Sequence, residues 1–475
     1  MCATHMDATE LGQPNDKQYY FLTYDVRNGL SHNTVNKIMQ DRLGFIWFGT
    51  KDGLNRFDGA RFRVFNKENS TLGNNYVTEL LEDRDGNIWV GTDAGLYIYN
   101  PSTEEFTSIE RHSGWRGSVT HTVSHINEDE KHNIWFAVDY EGLYKFDIKT
   151  RRLSKPLKSA TKGVLQSNVA AFCFLKGTCW FNLYNDNLYY SKDNFKTFHP
   201  YRDRNGQSVF HKGTVYHIMA KGHLLYAGTV RGLYELDTHT GRCRKLLDGY
   251  VRSIEFKSPN ELWAGTENGL YIYDTATTKT AHLTSSIEND PYALADNAIY
   301  DVFRDREGGM WIGSYFGGVN YYPHQWKYFE KYYPHGDIGF MGRRIREFCA
   351  GGDGTVWIGT EDKGLFNFNP ATKKITKFDD KRIYPNVHGL CLDGGYLWIG
   401  TFSGGLNRLD LSSCRLKCYR QGDADNMPIS NDIFTFCRTR SGQLFIGTIS
   451  GLMVYNRSTD DFTRVPQLAN KFISR

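Results

Sequence analysis

One short motif returns ten times along this chain, and that recurrence constrains the fold more than any other property of the sequence. Its clearest copies are GNIWVGTDAGLYIYN at 86–100, NELWAGTENGLYIYD at 260–274 and GTVWIGTEDKGLFNFN at 354–369. The anchoring aromatic stands at 47, 89, 135, 180, 226, 263, 311, 357, 398 and 445, at intervals of 37 to 48 residues. A mean spacing of about 44 residues is the length of one four-stranded propeller blade.

Each unit reads as four antiparallel strands. An apolar segment such as Val77–Leu81 or Ile299–Phe303 suits an inner strand covered on both faces. Asp83-Arg84-Asp85-Gly86-Asn87 then turns the chain, with an Asp bonding its own backbone and Gly taking positive φ. Ile88–Thr92 is the second strand, Leu96–Tyr99 the third and Phe106–Ile109 the outer one. No unit of this kind buries both faces alone, so neighbours must stack, and closing the stack into a ring protects its edges. The fold class is therefore all-β.

Ten blades exceed the usual four to eight of one ring, which predicts two rings. Aromatic stretches at Tyr19–Tyr24 and Trp326–Tyr333 each precede a first blade, as an outer strand does when it later completes the last blade of its ring. The expected organisation is a disordered leader over 1–18, a seven-bladed propeller over 19–325 and a partial second propeller of three blades over 326–475. Tyr20–Tyr24 is expected to close the first ring onto the blade of Trp311. The second is expected to be an arc with an open edge.

Composition narrows the function. Fifty-seven basic against 53 acidic residues, without runs, leave a net charge of +4 and no basic stripe for nucleic acid. The longest apolar stretch, Val169–Leu175, is far short of a membrane span. Nine cysteines without CxxC or CxxH pairing, and 15 histidines without HExxH spacing, imply neither a metal site nor a dense disulfide framework. The cysteines read as small buried hydrophobes, and no cofactor is implied.

The repeated (N/G)-x-(I/L)-W-x-G-T-x-x-G-L-x-x-(Y/F) unit and the opening Tyr24–Val35 resemble the two-component-regulator propeller repeats of hybrid two-component system proteins from gut bacteria. The resemblance spans about 19–465 and lies with the periplasmic sensor halves of those proteins. It implies two seven-bladed propellers followed by a β-sandwich, a membrane helix, a histidine kinase core, a receiver and a DNA-binding module. It also implies detection of glycan fragments, a homodimer in the full-length protein and a phosphorelay carried by segments outside this chain. The residues after the third blade of the second ring are absent here, so no kinase or receiver residue is assigned to it. Nothing in this chain itself is expected to touch nucleic acid, or a membrane except through missing segments. Met1–Asp7 lacks the basic and apolar regions of an export signal, whereas the family is exported. A periplasmic location therefore places that signal upstream of Met1.

Two enzymatic alternatives follow from similar repeats. Asp85-x-x-x-Trp89 is similar to the Asp-box turn of sialidase-type propellers and would suggest a glycosidase; a hairpin turn in any blade explains the same residues. Streptogramin lyase has similar short Trp-containing repeats, but no histidine pair stands out here. A protein-interaction scaffold is a third class. The expected function is recognition without catalysis, with no catalytic residue in this chain.

Candidate ligand contacts sit on five turns between second and third strands that are one residue longer than the rest. They supply Tyr140 and Glu141, Tyr184 and Asp186, Tyr315 and Phe316, Glu361 and Asp362, and Phe402. Aromatic faces beside carboxylates suit an oligosaccharide, whose sugars offer an apolar face and paired hydroxyls. Turns that simply fit local geometry are the other reading, and both stay open. Arg343, Arg344 and Arg346 could fork onto a carboxylate or sulfate of an acidic glycan, or pair with Glu347.

Overall fold

A computed structural model describes residues 6–7, 19–156, 169–210, 213–285, 292–324, 344–372, 374–422 and 427–466. These residues fall into ten antiparallel sheets, seven within 19–324 and three within 344–466. The two sets form separate compact units, the second including Met6–Asp7. Blades are numbered one to ten in chain order. Blade one runs Val35–Gln40, Ile46–Thr50, Gly53–Phe57 and Phe62–Phe65 from the innermost strand outward, and the other blades follow the same plan.

In blades one, two, three and seven the turn leading to the second strand is held by a carboxylate. Asp83 Oδ1 accepts from the backbone N–H of Asp85 and Asn87 at 3.0 and 2.9 Å, while its Oδ2 accepts from Trp89 Nε1 at 2.8 Å. Asp41 and Trp47, Asp129 and Trp135, and Asp305 and Trp311 repeat the bond at 2.7 to 2.9 Å. The capping acid is thus the one six residues before the tryptophan. Asp85, the residue of the Asp-box comparison, is exposed and contributes only its backbone N–H.

The threonine of Trp-x-Gly-Thr turns inward and clasps the next turn. Thr92 Oγ1 donates to the Gly95 carbonyl at 2.9 Å and accepts from the Ala94 N–H. Across the longer turns the same bond reaches one residue further, from Thr360 to Gly364 and from Thr401 to Gly405.

The glycine of the motif sets blade spacing. A Cβ built on Gly49 would lie 2.7 Å from Val77, the first residue of the next inner strand; on Gly265 it would lie 2.6 Å from Ile299. A Cβ at these two glycines would crowd close-packed sheets, whereas blade three accommodates Ala137, fully buried, at the same position. Blade four carries Asn182 instead and converts the contact into a bond, its Oδ1 accepting from the Val215 N–H at 3.0 Å.

The first unit is a closed ring. Each of its inner strands touches the next, and Ile299–Arg304 touches Val35–Gln40. Asp301 Oδ2 accepts from Ile38 N–H at 2.8 Å across that junction, and Thr34 Oγ1 donates to the Tyr315 carbonyl at 2.6 Å. Leu22–Tyr24 forms the outer strand of blade seven, with Leu22 opposite Tyr321 and Tyr24 opposite Val319. The clasp expected at Tyr20–Tyr24 is therefore present, as a strand that begins two residues later, at Leu22.

In the second unit the inner strands of blades eight, nine and ten, Ile345–Ala350, Val387–Asp393 and Ile433–Arg438, touch in that order. Met6–Asp7 adds a fifth strand outside blade eight, Met6 standing opposite Phe378. The cysteines depart from the expectation of burial. Cys173 and Cys179 are buried, Cys437 is exposed, and Cys414 is disulfide-bonded.

Candidate functional site

Seven inner strands converge on the middle of the first ring, and each carries an irregularity between its first and third residues. A bulge of this kind re-aims the side chains around it. The third positions are Lys37, Glu79, His125, Ala171, His217, Ser253 and Asp301, five of them ionisable.

These groups form a linked buried belt. Lys37 Nζ lies 3.5 Å from Glu79 Oε1 and 3.9 Å from Asp301 Oδ1, and His125 Nδ1 lies 3.7 Å from Glu79. Ser253 Oγ donates to Asp301 at 2.8 Å, and His217 Nδ1 accepts from Ile254 N–H at 3.0 Å. Burial works against the Lys37 charge, yet Asp301 and Glu79 hold it above the usual lysine range. Burial, with Lys37 nearby, pushes His217 well down and keeps it neutral. The adjacent Glu255 is raised to about 7 by burial and by Asp301.

Where the inner strands begin, three adjacent blades gather aromatic side chains around one arginine. The Arg252 guanidinium carbon lies 4.2 Å from the Tyr300 ring centre, 5.0 Å from Tyr250 and 5.5 Å from Tyr216. Arg252 Nε donates to Glu267, and the Tyr250 hydroxyl donates to that of Tyr216. Tyr300 packs on Tyr315 at 5.2 Å, and Tyr315 meets Phe316 edge-on at 4.4 Å. Phe316 is 72 % exposed. Its turn is pinned, since Phe316 N–H donates to Asp296 at 2.7 Å and Tyr315 N–H to Ala298 at 3.0 Å. An aromatic shelf with a forked donor and a carboxylate beside it can stack a flat apolar face and hydrogen-bond paired hydroxyls.

Of the residues singled out from sequence, Tyr315 and Phe316 belong to this cluster. Tyr140 is exposed and packs against His121 at 5.9 Å. Glu141 is occupied within its own blade: burial opposes its charge, but bonds from Tyr144, His121 and Thr120 N–H lower it to about 2. Tyr184 is exposed, while Asp186 accepts from the Tyr189 hydroxyl and Asn187 Nδ2, each at 2.9 Å. In the second unit Arg344 and Arg346 both pair with Glu361, at 3.2 and 3.0 Å. Glu347, the partner considered from sequence, instead accepts from Phe348 N–H at 3.0 Å. Phe402 lies 5.6 Å from His388 and 6.0 Å from Phe434, and Asp362 is exposed. Arg343 lies outside the described residues.

Tyr216, Tyr250, Arg252, Tyr300 and Glu267 escaped the sequence reading. Counting from the β-branched residue that heads each inner strand would have found most of them. Tyr216, Arg252 and Tyr300 are all second residues, as are Arg346, His388 and Phe434 in the other unit. Among the described residues no helix is long and apolar enough to cross a membrane, and no His, Cys, Asp or Glu cluster is placed to hold a metal ion.

Comparison with known proteins agrees with this architecture. The two component regulator propeller model matches residues 29–52, 71–94 and 293–316. Histidine kinase P4 of Formosa agariphila is 41 % identical over 58 residues, 12 % of this chain and 4 % of that protein. The chain thus matches a small fraction of that relative's length. Among solved structures, the extracellular domain of the hybrid two component system BT3049 from B. thetaiotaomicron superposes with a TM-score of 0.59 at 22 % identity. That match covers 95 % of this chain and 74 % of the other. The extracellular domain of BT4673 from the same organism gives 0.54 at 18 % identity, covering 94 % and 67 %. At these identities the likeness is one of fold. Three of the chain's repeats, the first, the second and the seventh, match the two component regulator propeller model.

Proposed function

We propose that this chain is the ligand-recognising part of a two-component regulator, working outside the cytoplasm without catalysis of its own. Its ligand is an oligosaccharide taken up on the face of the first ring that carries Tyr216, Tyr250, Arg252, Tyr300, Tyr315 and Phe316. The reading is carried by Arg252 held among three tyrosines and bonded to Glu267, next to the exposed ring of Phe316. Because Glu267 already neutralises Arg252, the shelf favours neutral sugars over acidic ones. The match of its repeats to the regulator propellers supports passing the bound state on to a histidine kinase in other segments.

Calorimetry of the chain against neutral and acidic oligosaccharides tests this. Micromolar to millimolar binding of a neutral oligosaccharide is expected, weakened about tenfold by Tyr300→Ala or Phe316→Ala. Absence of binding to the whole panel, or binding indifferent to both substitutions, would overturn it.

A further inference from the structure

The arrangement around Arg252 occurs a second time, wholly inside the other unit. Arg346 of blade eight pairs with Glu361 at 3.0 Å, as Arg252 of blade six bonds to Glu267. Each arginine is the second residue of its inner strand, and each glutamate follows the threonine that ends the second strand of the same blade. In both cases the next blade adds a pair of rings. Tyr300 lies 5.2 Å from Tyr315 in blade seven, and His388 lies 5.6 Å from Phe402 in blade nine. Their positions agree as well, being the second residue of the inner strand and the one after the Ser or Thr that ends the second strand.

The backbone beneath the rings is fixed alike. Phe402 N–H donates to the Asn386 carbonyl at 2.9 Å and Ser403 N–H to Asp432 at 2.7 Å, matching the bonds of Tyr315 and Phe316 to Ala298 and Asp296. Blade architecture does not demand this set. The second residues of blades one to four are Asn36, Thr78, Ser124 and Ala170, none of them aromatic or basic. Phe434, the second residue of blade ten, stands 5.4 Å from His388 and continues the row of rings. Burial, and then Arg346, hold His388 below the usual imidazole range, so the ring is uncharged near neutral pH and stacks as an aromatic. Phe402 stays 37 % exposed although the inner strands of blades eight and ten both touch that of blade nine.

We propose that the second unit carries a saccharide site of its own, where Phe402 and His388 stack on one face of a sugar and the Arg346–Glu361 pair bonds its adjacent hydroxyls. The class of ligand rests on the reading of the first ring; the site itself rests on the contacts of blades eight and nine. A planar guanidinium beside a carboxylate offers donors and an acceptor together, which is what neighbouring hydroxyls require. Arg344 also reaches Glu361, and Asp432 acts on His388 from blade ten, so the local charges balance and a neutral sugar is favoured here too. Two phenyl rings and an imidazole offer less stacking surface than the tyrosines and Phe316 of the first ring. The second site is therefore the weaker of the two.

Calorimetry of the 475-residue chain with neutral hexasaccharides of glucose, xylose and mannose reads the outcome, after the first ring has been silenced by Tyr300→Ala with Phe316→Ala. Millimolar binding of one of these sugars should remain in that double variant, and adding Phe402→Ala or Arg346→Ala should weaken it about tenfold. An unchanged circular dichroism spectrum shows that each variant is folded. Loss of all binding in the double variant, or residual binding that survives both Phe402→Ala and Arg346→Ala, would overturn the second site and leave the first-ring reading standing. Binding that ignores Tyr300→Ala and Phe316→Ala but weakens with Phe402→Ala would do the reverse. A wild-type chain that binds none of the sugars counts against both sites.

Discussion

Gly313 of the seventh blade lies against Val35 of the first, so closely that a Cβ on the glycine would stand 2.9 Å from Val35 Cγ1 and 3.0 Å from its carbonyl oxygen. The ring closes at a backbone-to-side-chain contact with no room for a methyl group. Gly313→Ala should cost about 1–3 kcal/mol of stability. Gly395→Ala, where nothing lies within 4 Å, should stay within about 0.5 kcal/mol. Native-state hydrogen exchange of the inner strands separates the two: faster exchange at Val35–Gln40 is expected only for the first.

The acid of the blade turn should matter far more at 83 than at 85. Asp83→Ala strands two backbone N–H groups and the indole N–H of Trp89, whose side chain is 1 % exposed. A loss of about 2–3 kcal/mol follows. Asp85→Ala should change little, about 0.5 kcal/mol or less. Denaturant titration monitored by tryptophan fluorescence gives both values.

Glu255 makes the first ring sensitive to pH in a defined direction. Its carboxyl is raised from 4.5 to about 7 in the folded chain, so the folded state holds a proton that the unfolded state releases earlier. The stabilisation is full below about pH 4.5 and declines as pH rises towards 7. Glu255→Gln should therefore flatten the melting temperature across that window and exceed wild type above pH 7. Thermal melts from pH 4 to 8 check this, and a variant that tracks the wild-type curve would count against it.

Binding and stability should part company between two of the long turns. Phe316→Ala should lower oligosaccharide affinity about tenfold with little change in melting temperature. Asp186→Ala removes the acceptor of Tyr189 and Asn187 and should lower the melting temperature while leaving affinity unchanged.

How far the sequence disclosed all this depends on what each residue answers to. Trp89, Gly91 and Thr92 serve contacts that recur in most blades, so spacing alone revealed the sheets, the turns and the clasp of Leu22–Tyr24 on blade seven. Tyr216, Arg252 and Tyr300 answer to a bulge that turns the second residue of an inner strand, a position marked in the sequence only by the β-branched residue before it. The long turns were visible as extra residues, but length does not reveal whether a carboxylate is engaged. Glu141 and Glu361 proved to be held by neighbours, one by a tyrosine and a histidine, the other by two arginines. Those pairings depend on strands adjacent only after folding.

The clasp also sets an order of events during synthesis. Tyr24 leaves the ribosome roughly 300 residues before Val319, its partner across the sheet, an interval of about 15–60 s at ordinary elongation rates. Through that time six blades can assemble behind it while the first strand waits without its ladder. The ring is thus fastened last by the piece made first, and a nascent chain interrupted before blade seven retains an unfastened edge.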